Sequence, residues 1–332
     1  MSESKFKVVI TDFINDSLAI ERQILDPYAN LIALDAKHVS ESHGHIDNAD
    51  AIMMYHNLSV AADTIARLQK CKIIVRCGVG FDNVDLDAAR GKSIPVVNIP
   101  DYGTEEVADS AIGMMLALTR GINRYNIRMR QSDPLWTYES AAPLVRLRGQ
   151  VLGIVGLGRI GIATAKRAMS LGMDVRFYDP YIPDGMDKAI GVTREESLEA
   201  LMRQSLVLSL HCPLTSETHQ MINRESLRWL PTGAYLVNTA RGGIVDTAVL
   251  PDAVASGQIA GAAVDVLPNE PPADDDPLLV AWRDPSHPAH ERIIVNPHAA
   301  FYCEEGLQDM RRKSAEACRR MFEGEPIRNQ VN

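Results

Sequence analysis

No run of about 18 consecutive apolar residues occurs anywhere in the chain, which excludes a membrane-spanning helix. The opening MSESKFKVVITDF has no apolar core followed by a cleavage site, so no secretory signal is expected. Cysteine is scarce and odd in number. Cys71, Cys77, Cys212, Cys303 and Cys318 contain no C-x-x-C, which argues against a disulfide framework or a zinc ribbon and fits a reducing cytoplasm. His43-Gly44-His45 has no carboxylate or cysteine cluster beside it, so no metal site is expected. Positive charge is also short: 34 Lys and Arg face 43 Asp and Glu, a net charge of −9, which speaks against nucleic acid as a partner. The densest basic stretch, Arg311, Arg312, Lys313, Arg319 and Arg320, follows helical spacing and reads as a solvated helix face. No internal repeat and no low-complexity tract is present; PPADDDP (271–277) reads as a loop.

What is present is an alternation of short β-rich runs and helical segments. At 332 residues the chain suits two domains rather than one core. In the first part KVVITDF (7–13), LIALDA (31–36), AIMMYH (51–56), KIIVRC (72–77) and PVVNI (95–99) are candidate strands, with helical stretches such as 61–69 between them. In the second part the candidates are VLGIVG (151–156), DVRFYD (174–179), LVLSLH (206–211), AYLVNT (234–239), AAVDV (262–266) and RIIVN (292–296). Short apolar runs separated by helices predict an α/β fold with parallel sheets covered on both faces. NIPDYG (98–103) breaks the first pattern. After it, Thr104-Glu105-Glu106 opens a long connecting helix with acidic residues at its positive end.

Within VLGIVGLGRIG (151–161), Gly156, Gly158 and Gly161 fit G-x-G-x-x-G, preceded by a strand and followed by a predicted helix over 160–171. In that context Gly156 permits the tight turn, Gly158 the close approach of a pyrophosphate, and Gly161 the packing of helix on strand. Asp179 ends the next strand, 18 residues past Gly161, where a carboxylate accepts from ribose hydroxyls and repels a 2′-phosphate. Pro180-Tyr181 supplies no compensating cation, so the expected cofactor is NAD.

Reduction of a 2-oxo acid needs a cation for the carboxylate, a proton donor for the carbonyl oxygen, and a group that tunes the donor. Arg241 in NTARGGIVD (238–246), His298 in NPHAAFY (296–302) and Glu270 in LPNEPP (267–272) each follow a candidate strand. Strand ends are where ligands bind in such sheets. A carboxylate reaching the imidazole favours its protonated form and is expected to raise its pKa.

These motifs, with RCGVGFDNVDL (76–86) and HCPLTSET (211–218), resemble the D-isomer-specific 2-hydroxyacid dehydrogenase family over nearly the whole length. FYDPYIPDG (177–185), FDNVD and HAAFY bring the chain nearest to the C-terminal-binding protein branch. The resemblance implies two doubly wound parallel-sheet domains: a flavodoxin-like substrate domain (1–102 plus 299–332) and an inserted Rossmann NAD domain (103–298), with the catalytic cleft between them. It implies that Arg241 holds the substrate carboxylate, His298 exchanges a proton with the substrate oxygen, and Glu270 sustains the charge of His298. It assigns Arg76, Val79, Gly80 and Phe301 to the substrate. It assigns Gly156, Leu157, Gly158, Arg159, Ile160, Gly161, Asp179, His211, Cys212, Pro213, Thr218, Thr239, Ala240, Asp265 and Ala300 to the cofactor. The implied activity is interconversion of a small 2-oxo acid and the D-2-hydroxy acid by a cytoplasmic homodimer that pairs through the segment up to about residue 150. The alternative is an NAD(H)-sensing corepressor-like protein with little catalysis.

Three features depart from the family pattern. The 27 residues between Glu270 and His298 (271–297) predict a longer loop, with His287 and His290 as weaker alternative acids. Phe301 stands where the C-terminal-binding proteins carry tryptophan. Little sequence follows the predicted last helix, so the regulatory extension of many phosphoglycerate dehydrogenases is not expected. Glu270, where the family's formate dehydrogenases carry glutamine, sets that reaction aside.

Overall fold

The structure, a computed structural model, describes residues 5–332. The chain divides into two compact units, one running to Gly103 and resuming over Cys303–Asn332, the other Thr104–Tyr302.

In the first unit, β1 (Phe6–Ile10), β2 (Ala29–Ala33), β3 (Ala51–Met54), β4 (Ile73–Arg76) and β5 (Val96–Asn98) form a parallel sheet in the order β2-β1-β3-β4-β5. Helices α1 (Ala19–Leu25), α2 (Val39–Ser42), α3 (Ala62–Arg67) and α4 (Leu86–Gly91) supply the crossovers. Every residue of β3, β4 and β5 is buried, as strands covered on both faces require. This is the flavodoxin-like strand order, with its reversal between β1 and β3.

The second unit opens with α5 (Thr104–Thr119) and α6 (Ile122–Met129). Its strands are β6 (Val151–Val155), β7 (Asp174–Tyr178), β8 (Thr193–Arg194), β9 (Val207–Leu210), β10 (Ala234–Asn238), β11 (Ile259–Val264) and β12 (Ile293–Val295). They form one parallel sheet in the order β12-β11-β10-β9-β6-β7-β8. The intervening helices are α7 (Arg159–Ser170), α8 (Met186–Ile190), α9 (Leu198–Met202), α10 (Leu250–Ala255) and α11 (Pro277–Arg283). One sheet face buries Leu208, Leu236 and Val264; the other buries Ile154, Val237 and Ala263 under α5 and α7. Arg167 of α7 pairs with Glu105 and Asp109 of α5, both at 2.6 Å, which ties the two helices along their length. β8 has no counterpart in the sequence reading. Two residues are too short to show an alternation, and pairing with β7 alone defines the strand.

The last helix, α12 (Glu304–Glu323), lies in the first unit and packs on α1. Here the sequence reading needs correction. Arg311 is not solvated; it is buried and makes bidentate contacts to Glu21 (2.7 Å) and Asp16 (2.6 and 2.9 Å). It sits on the face of α12 that meets α1, where Glu21 is itself buried, and a buried arginine persists only when paired. Arg312 and Arg319 do form exposed i,i+4 pairs.

The stretch between Glu270 and His298 also differs from the predicted long loop. It holds α11, capped by Asp276, whose side chain accepts from Leu278 and Leu279. His290 bonds the Trp282 carbonyl (2.6 Å) and His287 accepts from Ala289 N–H (3.1 Å). Both histidines fasten this local turn. Among the described residues no helix is long and apolar enough to cross a membrane.

Candidate active site

β6 and β9 are neighbours, yet the chain first runs outward from β6 through β7 to β8 and only then returns to β9. That reversal leaves a crevice at the C-terminal ends of β6 and β9, where a doubly wound sheet binds nucleotides. The glycine-rich loop lies there, and each glycine has its own reason. Gly156 has φ 90°, and a Cβ on it would lie 2.7 Å from Cys212 N. Gly161 would place a Cβ 2.2 Å from the Gly156 carbonyl oxygen. At Gly158, the N-cap of α7, a Cβ meets no protein atom within 4 Å. The protein itself does not need that space, and a pyrophosphate approaching the N–H groups of α7 does. The two positions separate experimentally. Gly161→Ala is expected to cost about 1–3 kcal/mol of stability. Gly158→Ala is expected to stay within about 0.5 kcal/mol of the parent while weakening NADH about tenfold or more. Thermal unfolding and NADH fluorescence titration of both variants check this; equal stability losses would refute it.

Asp179 follows β7 and grips the same loop: it accepts from Leu157 N–H at 2.9 Å and from Tyr181 N–H at 3.0 Å. Each oxygen keeps acceptor capacity for a ribose hydroxyl. The Tyr181 hydroxyl donates to Glu217, which raises its pKa and puts a second carboxylate on this side. The Tyr181–Glu217 contact was not legible in the sequence, since the partners come from different crossovers. Arg159 and Ile160 open α7.

After β9, His211 bonds Ser209 Oγ at 2.9 Å, and its Nδ1 is buried without a partner. Burial pushes the imidazole down to about 4, and the adjacent Cys212 thiol up to about 12. Thr218 closes the following turn, donating to Pro213 O (2.7 Å) and accepting from Thr215 N–H (2.8 Å). The depressed His211 value has a stability consequence. The unfolded histidine takes up a proton near pH 6.5 and the folded one only near 4. Its contribution is therefore complete above about pH 6.5 and is lost progressively as pH falls towards 4, by up to about 3 kcal/mol. Urea unfolding at pH 7 and pH 5 is expected to show a smaller pH loss for His211→Gln than for the parent; an identical loss would contradict the assignment.

Arg241, Glu270 and His298 follow β10, β11 and β12, three adjacent strands. Asn238, buried at the end of β10, fixes the Arg241 turn: its Oδ1 accepts from Ala240 N–H (3.0 Å) and its Nδ2 donates to Arg241 O (2.9 Å). Sequence reading missed this role, although asparagine ahead of a turn is an Asx-turn signal. Thr239 adds a buried hydroxyl without a partner. Gly242 lets the turn lie against the next loop, since a Cβ there would be 1.9 Å from Leu267 C and 2.3 Å from Pro268 N.

That next loop carries Glu270. Its Oε1 accepts from Leu267 N–H at 2.9 Å and its Oε2 meets His298 Nδ1 at 2.6 Å. The long intervening segment therefore does not separate the pair. His298 has φ 53°, unusual for a non-glycine residue, and is held there by Asp265. His298 N–H donates to Asp265 O (2.7 Å), while the Asp265 carboxylate takes Ala299 and Ala300 N–H at 2.9 and 3.0 Å. Burial raises the Asp265 carboxyl above its ordinary value. These bonds keep Ala299–Tyr302 with the second unit, so the return to the first falls at Cys303 rather than at 299. Phe301 meets the His298 ring edge-on at 6.2 Å between centroids.

In the first unit Arg76 ends β4 and is buried; its Nη1 donates to Cys77 O at 3.2 Å. Gly78 makes room for it, because a Cβ there would be 1.6 Å from Nη1. Val79 follows, its carbonyl accepting from Asn98 Nδ2 at 2.6 Å, and it and Gly80 are half-buried.

Comparison with known proteins places these features in context. The family model described as D-isomer specific 2-hydroxyacid dehydrogenase, NAD binding domain, matches residues 112–300. A D-3-phosphoglycerate dehydrogenase of Methanocaldococcus jannaschii is 33% identical over 98% of this chain and 59% of its own length. C-terminal-binding protein 1 of Caenorhabditis elegans is also 33% identical, over 92% of this chain and 42% of its own length. The chain thus spans about half the length of these curated relatives. Among solved structures, a D-lactate dehydrogenase of Aquifex aeolicus complexed with NAD and lactic acid superposes with a TM-score of 0.86 at 28% identity, covering 96% of both chains.

Proposed function

The chain belongs to the D-isomer specific 2-hydroxyacid dehydrogenase family, and we propose that it interconverts a small 2-oxo acid and the corresponding D-2-hydroxy acid with NAD(H). The observation that carries this reading is the 2.6 Å contact between Glu270 and His298, one strand away from Arg241 on the sheet edge that bears the glycine-rich loop. The Arg241 guanidinium takes the substrate carboxylate through paired N–H donors. His298 gives its Nε2 proton to the carbonyl oxygen during reduction and recovers it during oxidation, because Nδ1 is committed to Glu270. The Glu270 carboxylate stabilises the imidazolium. NADH, when bound, supplies the hydride and its electron pair to the carbonyl carbon. Gly158 and the start of α7 receive its pyrophosphate, and Asp179 its adenosine ribose. The negative charge of Asp179 and Glu217 disfavours a 2′-phosphate.

A panel of 2-oxo acids, including glyoxylate, hydroxypyruvate and bulkier analogues, assayed with NADH and with NADPH tests the reading. NADH is expected to be preferred at least about tenfold in kcat/KM. Equal use of NADPH would remove the role of Asp179, and no turnover with any 2-oxo acid would remove the activity. A homodimer belongs to the same proposal, supported by the exposed apolar side chains Leu135 (79%), Trp136 (90%) and Tyr138 (76%) on one short segment. The corepressor-like alternative is not favoured, since the chain matches the dehydrogenase over more of its length and retains the acid–base pair.

A further inference from the structure

The second unit contains a cavity of about 280 Å³ at the N-terminal ends of its strands, the edge opposite Arg241, Glu270 and His298. Its walls are mostly apolar, with Leu118, Pro143 and Leu206 among them. Its polar lining includes two cations, Arg124 of α6 and Arg292, just before β12, with the Tyr235 hydroxyl at the start of β10 and the neutral Asn123 and Thr232. Among the described residues, neither the Arg292 guanidinium nor the Tyr235 hydroxyl makes a hydrogen bond or ion pair. Arg124 spends Nη1 and Nη2 on the carbonyls of Ala141 and Ser140, at 3.0 and 3.1 Å, and its Nε is buried with no acceptor. The one carboxylate on the lining, Glu291, is taken by Arg128 at 2.7 Å. The Arg292 guanidinium and the Tyr235 hydroxyl thus line one small cavity without a hydrogen-bond partner among the described residues. In a chain of net charge −9 this local excess of positive charge is not a reflection of composition. Burial lowers the Arg124 pKa, and repulsion from Arg292 and Arg128 lowers it further, against a smaller opposing pull from Glu291 and Tyr235.

We propose that this cavity binds a small monocarboxylic acid, its carboxylate on Arg292 and the Tyr235 hydroxyl and its apolar body against Leu118, Pro143 and Leu206. A guanidinium matches a carboxylate by paired donors. The volume admits only a compact ligand, below the range of drug-sized pockets. The site is separate from the substrate position, because parallel strands put the two at opposite ends of the same sheet.

Isothermal titration of the full-length chain with benzoate tests this. Benzoate is expected to bind, and benzamide, of the same shape without the charge, at least about tenfold more weakly. Inorganic phosphate, which has no apolar body, is expected to bind more weakly than benzoate. Arg292→Met is expected to reduce benzoate affinity about tenfold or more, and Tyr235→Phe by a smaller factor, with NADH titration unchanged in both. Arg241→Met should leave benzoate binding intact, which separates this cavity from the substrate position. No binding to the parent, equal binding of benzamide or phosphate, or loss in Arg241→Met alone would overturn the proposal. So would absent benzoate binding with a lowered association state of Arg292→Met in light scattering, which would assign the cavity to a second copy of the chain.

Discussion

Replacing His298 by alanine is expected to lower kcat at least about 10²-fold, with NADH affinity nearly unchanged. In the proposed mechanism the imidazole delivers the proton to the substrate oxygen from Nε2, since Nδ1 faces Glu270 at 2.6 Å. Its backbone is held by Asp265 through the peptide and through Ala299 and Ala300, so the truncated side chain leaves this scaffold in place. A loss in kcat with unchanged nucleotide binding is the pattern of an interaction made in the transition state. Glu270→Gln is expected to lie between parent and alanine variant, because it keeps the shape beside Nδ1 and removes only the charge. Steady-state turnover of a 2-oxo acid, with NADH titration as the folding check, measures both. Undiminished kcat in His298→Ala would take the proton donor elsewhere.

The second large effect is expected at Gly242, which has no side chain to react. An alanine Cβ there would sit 1.9 Å from Leu267 C, 2.1 Å from its O and 2.3 Å from Pro268 N. All three are backbone atoms, so no rotamer change relieves the clash, and the Arg241 turn and the Glu270 loop must separate. Overpacking of this kind costs about 1–3 kcal/mol of stability. Because Leu267 N–H is the donor that fixes Glu270, the shift also moves the carboxylate away from His298. Misplacement of a catalytic group by about 1 Å costs on the order of 10²-fold in rate. Gly242→Ala is therefore expected to lose about 10²-fold in kcat/KM with a lowered Tm, while NADH still binds through the intact Gly156–Gly161 loop. A variant with full activity would show that the two loops are not coupled in this way.

The glycine-rich loop was readable because each of its constraints is local. A positive φ, a missing Cβ and a following helix all fall within a few residues, and period and spacing report them directly. The same holds for most strands, whose buried apolar runs need no partner to be recognised. β8 was not readable, because two residues carry no pattern and only pairing with β7 makes them a strand. Arg311 misled because spacing places residues on a helix face but does not say what that face meets; Glu21 and Asp16 lie almost 300 positions away.

By itself the sequence determined the class of fold, the position of the nucleotide loop and the residue types able to move a proton and hold a carboxylate. Those follow from periodicity and from the chemistry of single side chains. Only the tertiary structure decided that Glu270 reaches His298 across a segment containing a helix, that Asn238 and Asp265 hold the turns carrying Arg241 and His298, and that Gly242 lets the Arg241 turn lie against the Glu270 loop. Each of those facts depends on a distance between strands distant in sequence, and such distances are set by how the sheet pairs and packs.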